Sequence, residues 1–297
     1  MTYLLSIPYT IWITQLFTGL NLGMIYVLLA IGLSLIFGMM AIVNFAHGAF
    51  YMLGAYIGFF VLGMTGNFWI ALAVAPLVIG LVGVVIEKNL MRPLHGKDLI
   101  YPLLLTFGLS MVLVEIVRIV WGTTGQTFDV PALLAGSVKL GFIHFPSYRI
   151  FVILITVLFI TMVWLFLEKT NLGLIVRAGT RDSMIVRVLG IDISTIWTLV
   201  FGLGTSMAGV AGVLAAPMRG VNPDMGMNML IEAFVVVTVG GMGSLRGAVL
   251  GGIIMGEVVS LTTLIYPVMS DIIIYIFMAV ILLVRPSGLF GEPGLFE

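Results

Sequence analysis

The chain has 297 residues, of which 61% are hydrophobic and 9% charged, against roughly 45–50% and about 25% in a soluble domain. Its 13 basic and 13 acidic side chains cancel, and it contains no cysteine. So little charge cannot cover a water-facing surface, which excludes a soluble enzyme, a nucleic-acid binder and a disordered chain.

The apolar surface must therefore face lipid, and the mean hydropathy of +1.23 agrees. A helix crossing the hydrocarbon needs about 20 mostly apolar residues. The length thus accommodates roughly eight to ten spans with short loops and no soluble domain. The lack of cysteine removes disulfides, thiolate metal sites and Cys nucleophiles.

In chain order, no Asp, Glu, Lys or Arg precedes Glu87. A secretory signal would open on a basic segment, so the first 86 residues are expected to stay in the mature protein, almost wholly within the membrane. Apolar runs predict spans at 12–40, 47–63 and 69–91. Between the first two lies Asn44-Phe45-Ala46-His47-Gly48, a polar break without charged residues. Unwound backbone at membrane depth has no lipid partner and survives only inside protein or against a water-filled cavity. His47 at this break either senses pH or donates to a substrate, or stays neutral and holds the broken backbone. No carboxylate or second histidine lies at metal-ligand spacing from it.

Lys88, Arg92 and Lys97 follow the third span, and a fourth is predicted at 101–121. Within it Glu115 and Arg118 are three apart and are expected to pair. The connection 122–148, with its Gly, Pro and Thr, reads as turns around a short hairpin. A fifth span is predicted at 149–167.

Residues 168–192 form the most polar stretch, with Lys169, Arg177, Arg181 and Arg187. Ile175 to Leu189 reads as one short amphipathic helix with Arg177 and Arg181 on one face. Gly190 suits its C-terminal cap, and Asp192 or Ser194 the start of the next span. Physical reasoning leaves two roles open: a force-transmitting element, or a solvated loop.

Further spans are predicted at 194–216, 228–243, 247–265 and 267–285. Gly240-Gly241-Met242-Gly243-Ser244-Leu245-Arg246-Gly247 makes a second polar break. Its Leu245-Arg246-Gly247-Ala248 parallels Ala46-His47-Gly48-Ala49 at the first. Paired broken helices point to a transporter's pathway, whereas tight turns between packed helices are the plainer reading. The basic connections alternate, so the positive-inside rule puts 88–97, 168–192 and Arg285 in the cytoplasm and the N-terminus outside. Glu257, mid-span, must face the bundle interior, because an unpaired acid there costs about 2.5–3.5 kcal/mol. Glu232 and Asp271 lie near external ends, within reach of water. The small-residue face Ala248, Gly252 and Gly256 reads as a packing surface, within the chain or toward a second subunit.

The fold class expected is all-α, a polytopic membrane bundle of about eight or nine transmembrane segments with two broken helices. Residues 1–297 are expected to form a single transmembrane domain. There is no Gly-x4-Gly-Lys-Ser/Thr loop, so transport energy must come from a partner or an ion gradient.

Several blocks in order resemble the permease subunits of bacterial ABC importers for branched-chain amino acids, specifically the smaller of the two permeases. They are Gly19-Leu20-Asn21-Leu22-Gly23-Met24-Ile25-Tyr26, Asn44-Phe45-Ala46-His47-Gly48 with Tyr51-Met52-Leu53-Gly54-Ala55, and Arg177-Ala178 with Asp182 and Gly190-Ile191. The series continues with Gly240-Gly241-Met242-Gly243-Ser244, then Gly247-Ala248, and closes on Arg285-Pro286-Ser287-Gly288-Leu289-Phe290-Gly291. Urea and short-amide permeases share much of this pattern.

The resemblance implies a non-enzymatic transport subunit of the bacterial inner membrane, with no cofactor, metal or nucleic acid. Its implied partners are a second permease, two cytoplasmic ATPases and an external substrate-binding protein. It implies ATPase coupling through Arg177, Ala178, Arg181, Asp182 and Gly190. For the substrate pathway the expected residues are Asn44, Phe45, His47, Gly48, Gly241, Gly243 and Ser244, where backbone donors at half-helix starts meet a carboxylate. An ion-coupled carrier and a passive channel are the alternatives from other classes.

Overall fold

A computed structural model describes residues 8–141 and 143–291. It is built from helices. In chain order these are α1 (Tyr9–Met40), α2 (His47–Thr65), α3 (Phe68–Ile86), α4 (Ile100–Trp121), α5 (Ser147–Lys169) and α6 (Asn171–Arg181). There follow α7 (Ser183–Val188), α8 (Ile193–Arg219), α9 (Met225–Gly240), α10 (Leu245–Ile265) and α11 (Ser270–Val284). Among the described residues, 8 helices are long and apolar enough to cross a membrane, and α9 is a shorter apolar one of 16 residues. The chain is a polytopic helical bundle, as the apolar runs predict.

α1 has 32 residues, about 48 Å at 1.5 Å per residue, longer than the roughly 30 Å hydrocarbon. It is the central post, packed against α8, α9, α10 and α5. α2 and α3 pack on the other flank of α8. α1 and α8 are buried over most of their length, whereas α4, α5 and α11 expose apolar side chains such as Ile119, Leu154 and Leu283. In a bilayer that outer ring meets lipid, so exposed leucines there carry no penalty.

Helices without a hydrophobic force between them need close approach, and glycine supplies it. A Cβ on Gly54 of α2 would stand 2.5 Å from the Cα of Gly209 in α8. One on Gly252 of α10 would stand 2.9 Å from the backbone nitrogen of Val27 in α1. The small-residue face of α10 is thus used within the chain, against α1.

Helix starts follow side-chain chemistry. Asn67 accepts from the amides of Trp69 and Ile70, Thr170 from Gly173, and Ser244 from Gly247. The connection 122–146 holds the expected hairpin, β1 (Ser137–Leu140) antiparallel to β2 (Ile143–Pro146), with Val138 opposite Phe145. Gln126 of this connection bridges Val221 after α8. This end of the bundle is called the hairpin end, and the opposite one, holding α6 and α7, the basic end.

The single amphipathic helix expected over 175–189 is two helices. It starts earlier, at the Thr170 cap, and breaks at Asp182, whose carboxylate accepts from Met184 and Ile185. An aspartate that caps a new helix competes with continuing the old one. Gly190, at φ +82°, then turns the chain, and Asp192 rather than Ser194 caps α8. The Thr195 hydroxyl at 2.6 Å and the Ser194 amide at 3.0 Å hold the Asp192 carboxyl below its usual range.

Candidate functional site

The two sequence breaks are breaks in the structure. After Met40 the chain leaves the helix through Ala41 at φ +52° and re-enters one at His47. Asn44 is fully buried, and its Oδ1 accepts from the amide of Ala46. The Phe45 amide donates to Thr106 of α4, and the Phe45 ring lies 5.5 Å from Phe234 and 6.3 Å from Phe107. His47 is fully buried with Nε2 3.1 Å from the Leu29 carbonyl. Gly48 lies against the Gly226 backbone. The amides of Ala41, Phe45, Ala46 and His47 in the uncoiled stretch thus find partners within the protein, as lipid surroundings demand.

At the second break α9 ends on Gly240, and Gly241 takes φ +103°, a conformation that favours glycine. The last carbonyls of α9 would be orphans. They are capped by the C-terminal segment: Leu289 donates to Val239 at 2.8 Å and Phe290 to Gly240 at 2.9 Å. Arg285-Pro286-Ser287-Gly288-Leu289-Phe290-Gly291 thus has a local role, a backbone hook over the end of α9.

Both breaks communicate with the basic end. A Cβ on Gly38 would stand 3.1 Å from the Cα of Gly243, and Met39 packs on Gly179 of α6. A cleft of about 700 Å³ opens here, lined by Gly38, Arg177, Ala178, Arg181, Gly243 and Ser244, with Phe290 at its edge. Three of the residues expected to couple, Arg177, Ala178 and Arg181, and two of those expected to line the pathway, Gly243 and Ser244, therefore share one cavity. Arg177 pairs with Glu168 across its rim. Asn44, Phe45, His47 and Gly48 lie outside that lining, as does Gly241, and Asp182 and Gly190 lie farther along the α6–α7 segment.

One polar cluster at the basic end escaped the sequence reading. α3 widens into a π turn, Glu87–Met91, then tightens into a 3-10 turn, Arg92–Leu94. The turn delivers Glu87, fully buried, to the Thr198 hydroxyl of α8. Arg92 donates to the same hydroxyl at 2.6 Å and to the Ser194 carbonyl at 3.3 Å. The His95 ring stands edge-on to Trp197, centroids 4.2 Å apart. Burial, with help from Arg92, pushes the His95 pKa down to about 4. It is neutral at pH 7, so its 3.7 Å approach to Glu87 is not an ion pair there. An acid bounded by Arg and His within a dozen residues was the only sequence signal.

The other intramembrane charges are paired or dispersed. Arg118 bonds Glu115 at 2.6 Å as expected, and also Asp224 at 2.7 Å, tying α4 to the turn before α9. Glu257 faces Gly19 of α1, inside the bundle. Glu232 keeps 26% of its side chain exposed, within reach of water as expected, while its Oε2 is buried and lies 3.9 Å from Arg219. Among the described residues no group of His, Cys, Asp and Glu could hold a metal ion.

Residues 15–282 match the family described as branched-chain amino acid transport system / permease component. The chain is 31% identical to the high-affinity branched-chain amino acid transport system permease protein BraD of Pseudomonas aeruginosa, over 95% of this chain and 96% of that protein. It is 29% identical to permease protein LivH of Escherichia coli K12, over 97% and 98% respectively. Permease protein LivM of the same organism is 27% identical over 79% of this chain and 60% of that one. The chain belongs to this family of transport permeases, and its apolar helices make it a multi-pass membrane protein.

Proposed function

We propose that this permease is the smaller membrane subunit of an ATP-driven ABC importer for branched-chain or related small amino acids. It acts as one transmembrane domain in the bacterial inner membrane, with α6–α7 and the C-terminus in the cytoplasm. A second permease, two ATPases and an external substrate-binding protein complete the machine. The likeness to both LivH and LivM supports pairing of two related permeases.

The observation that carries the reading is the shared cleft at the basic end. Motion of α6, imposed by an ATPase through Arg177, Ala178, Arg181, Asp182 and Gly190, has a short route to the second break. It passes to Gly243 and Ser244 across one cavity, and to Gly38 and the first break through the end of α1. The breaks, with Asn44, Phe45, His47, Gly48 and Gly241, are the deformable elements of alternating access. Glu115 is paired with Arg118, which leaves that acid unavailable for ion coupling and argues against an ion-coupled carrier.

The test is purification of the tagged chain from its native host, then uptake in proteoliposomes. The expected result is co-purifying ATPase and second permease, with leucine uptake that requires ATP and the external binding protein. Leucine uptake by this chain alone, driven by an ion gradient, would overturn the proposal.

A further inference from the structure

At the hairpin end four helices bring together a polar group unrelated to the breaks. Arg219, the last residue of α8, places Nη1 3.9 Å from Glu232 Oε2 of α9 and 3.0 Å from the Met229 sulfur. Tyr26 of α1 and Tyr51 of α2 are 1% and 0% exposed. The Tyr26 phenol interacts with both Arg219 and Glu232. The Tyr51 hydroxyl lies within the field of both charges and has no hydrogen-bond partner, and Glu232 Oε2 also lacks one. Asp271 at the start of α11 adds a further negative charge felt by Glu232.

This is a poor design for a structural ion pair. A charge-assisted hydrogen bond closes to roughly 2.7–2.9 Å, so Arg219 and Glu232 do not bond directly; the Tyr26 phenol is the hydrogen-bond partner of both. Buried polar atoms are costly when unsatisfied, and here two of them adjoin the same loose pair. Arg219 and Glu232 keep side-chain exposures of 39% and 26%, so the cluster is open on one side, while Glu232 Oε2 and the tyrosines form its buried floor. A ligand complementary to these groups offers an anion to Arg219 and Tyr51 and a cation to Glu232, a few ångströms apart. An α-amino acid zwitterion does both. The flexible Met229 side chain beside Arg219 suits an aliphatic substituent of variable shape.

We propose that Arg219, Glu232, Tyr26 and Tyr51 form a binding station for the zwitterionic head of an amino acid, entered from the hairpin end. Arg219 and Tyr51 hold the carboxylate, and Glu232, assisted by the field of Asp271, holds the ammonium. The proposal rests on the importer reading above and adds the chemistry by which the permease itself recognises cargo.

The experiment uses the complete transporter in proteoliposomes, with leucine, ATP and the external binding protein, and measures leucine taken up per ATP hydrolysed. Tyr51→Phe removes only a hydroxyl that has no protein partner, so assembly and thermal stability should equal or exceed those of the parent. Its uptake per ATP should fall about tenfold, the scale of one hydrogen bond to a charged group. Glu232→Gln should lower uptake per ATP to a similar degree. Parental uptake per ATP in Tyr51→Phe would overturn the station, whatever Glu232→Gln does to folding. Failure of the parent itself to take up any amino acid would instead sink the importer reading.

Discussion

Gly38 and Gly243 lie against each other, the Cα of Gly243 3.1 Å from where a Cβ on Gly38 would stand. This contact joins the end of the central helix α1 to the break between α9 and α10. The cleft shared with α6 begins at this point. A rotation of α6 cannot leave the contact untouched, because Met39, one residue on, packs on Gly179.

Gly241→Ala tests the hook at the second break. Its φ of +103° strains any L side chain, and a Cβ would strike the backbone of Gly291. Strain and overpacking together should cost about 2–4 kcal/mol. Thermal unfolding in nanodiscs measures it, and proteolysis should release the C-terminal segment first.

Gly54→Ala should destabilise the bundle by about 1–3 kcal/mol, because the new Cβ meets the Gly209 backbone, which has nowhere to move. Gly63→Ala on the same helix meets nothing within 4 Å and should be neutral or slightly stabilising. Equal melting temperatures for the two variants would contradict this packing.

Asp182 caps α7 through two backbone amides. Asp182→Ala should cost about 1 kcal/mol locally and lower uptake per ATP hydrolysed, whereas Asp182→Asn, an equally good cap, should retain both. If Asn fails as badly as Ala, charge rather than capping matters at this position.

The cluster of Glu87, Arg92 and His95 after α3 with Thr198 and Trp197 of α8 acts as a latch between the two elements, and it should respond to acid. The folded pKa of His95, about 4, lies below its ordinary 6.5, so folding excludes a proton that the opened loop binds. The latch is therefore at full strength above pH 6.5 and weakens as pH falls toward 4. Trp197 reports it directly, since its ring abuts His95. The difference in fluorescence between the parent and Trp197→Phe should drop across this window, and His95→Phe should abolish the drop.

Much of the architecture is legible in the sequence because lipid imposes simple rules. Apolar runs of membrane length became helices, with 47–63 realised as His47–Thr65 and 101–121 as Ile100–Trp121. Charges gathered in connections, and the two glycine-rich breaks fell where polar residues interrupt apolar runs. The cap at Asp182 was present as a residue type. Its effect, splitting one amphipathic helix into two, depends on a local contest between side chain and backbone that periodicity does not reveal.

Tertiary structure alone decided which faces meet. α1 is apolar all round, so no pattern in it says that Tyr26 turns toward Arg219 and Glu232 while Gly38 turns toward Gly243. Glu87 and Thr198 are 111 residues apart, and only the packing of α3 on α8 brings them together. Charge scarcity dictates the solvent and the helices. Where the few charges converge is set by helix rotation and close glycine contacts, which depend on every partner at once.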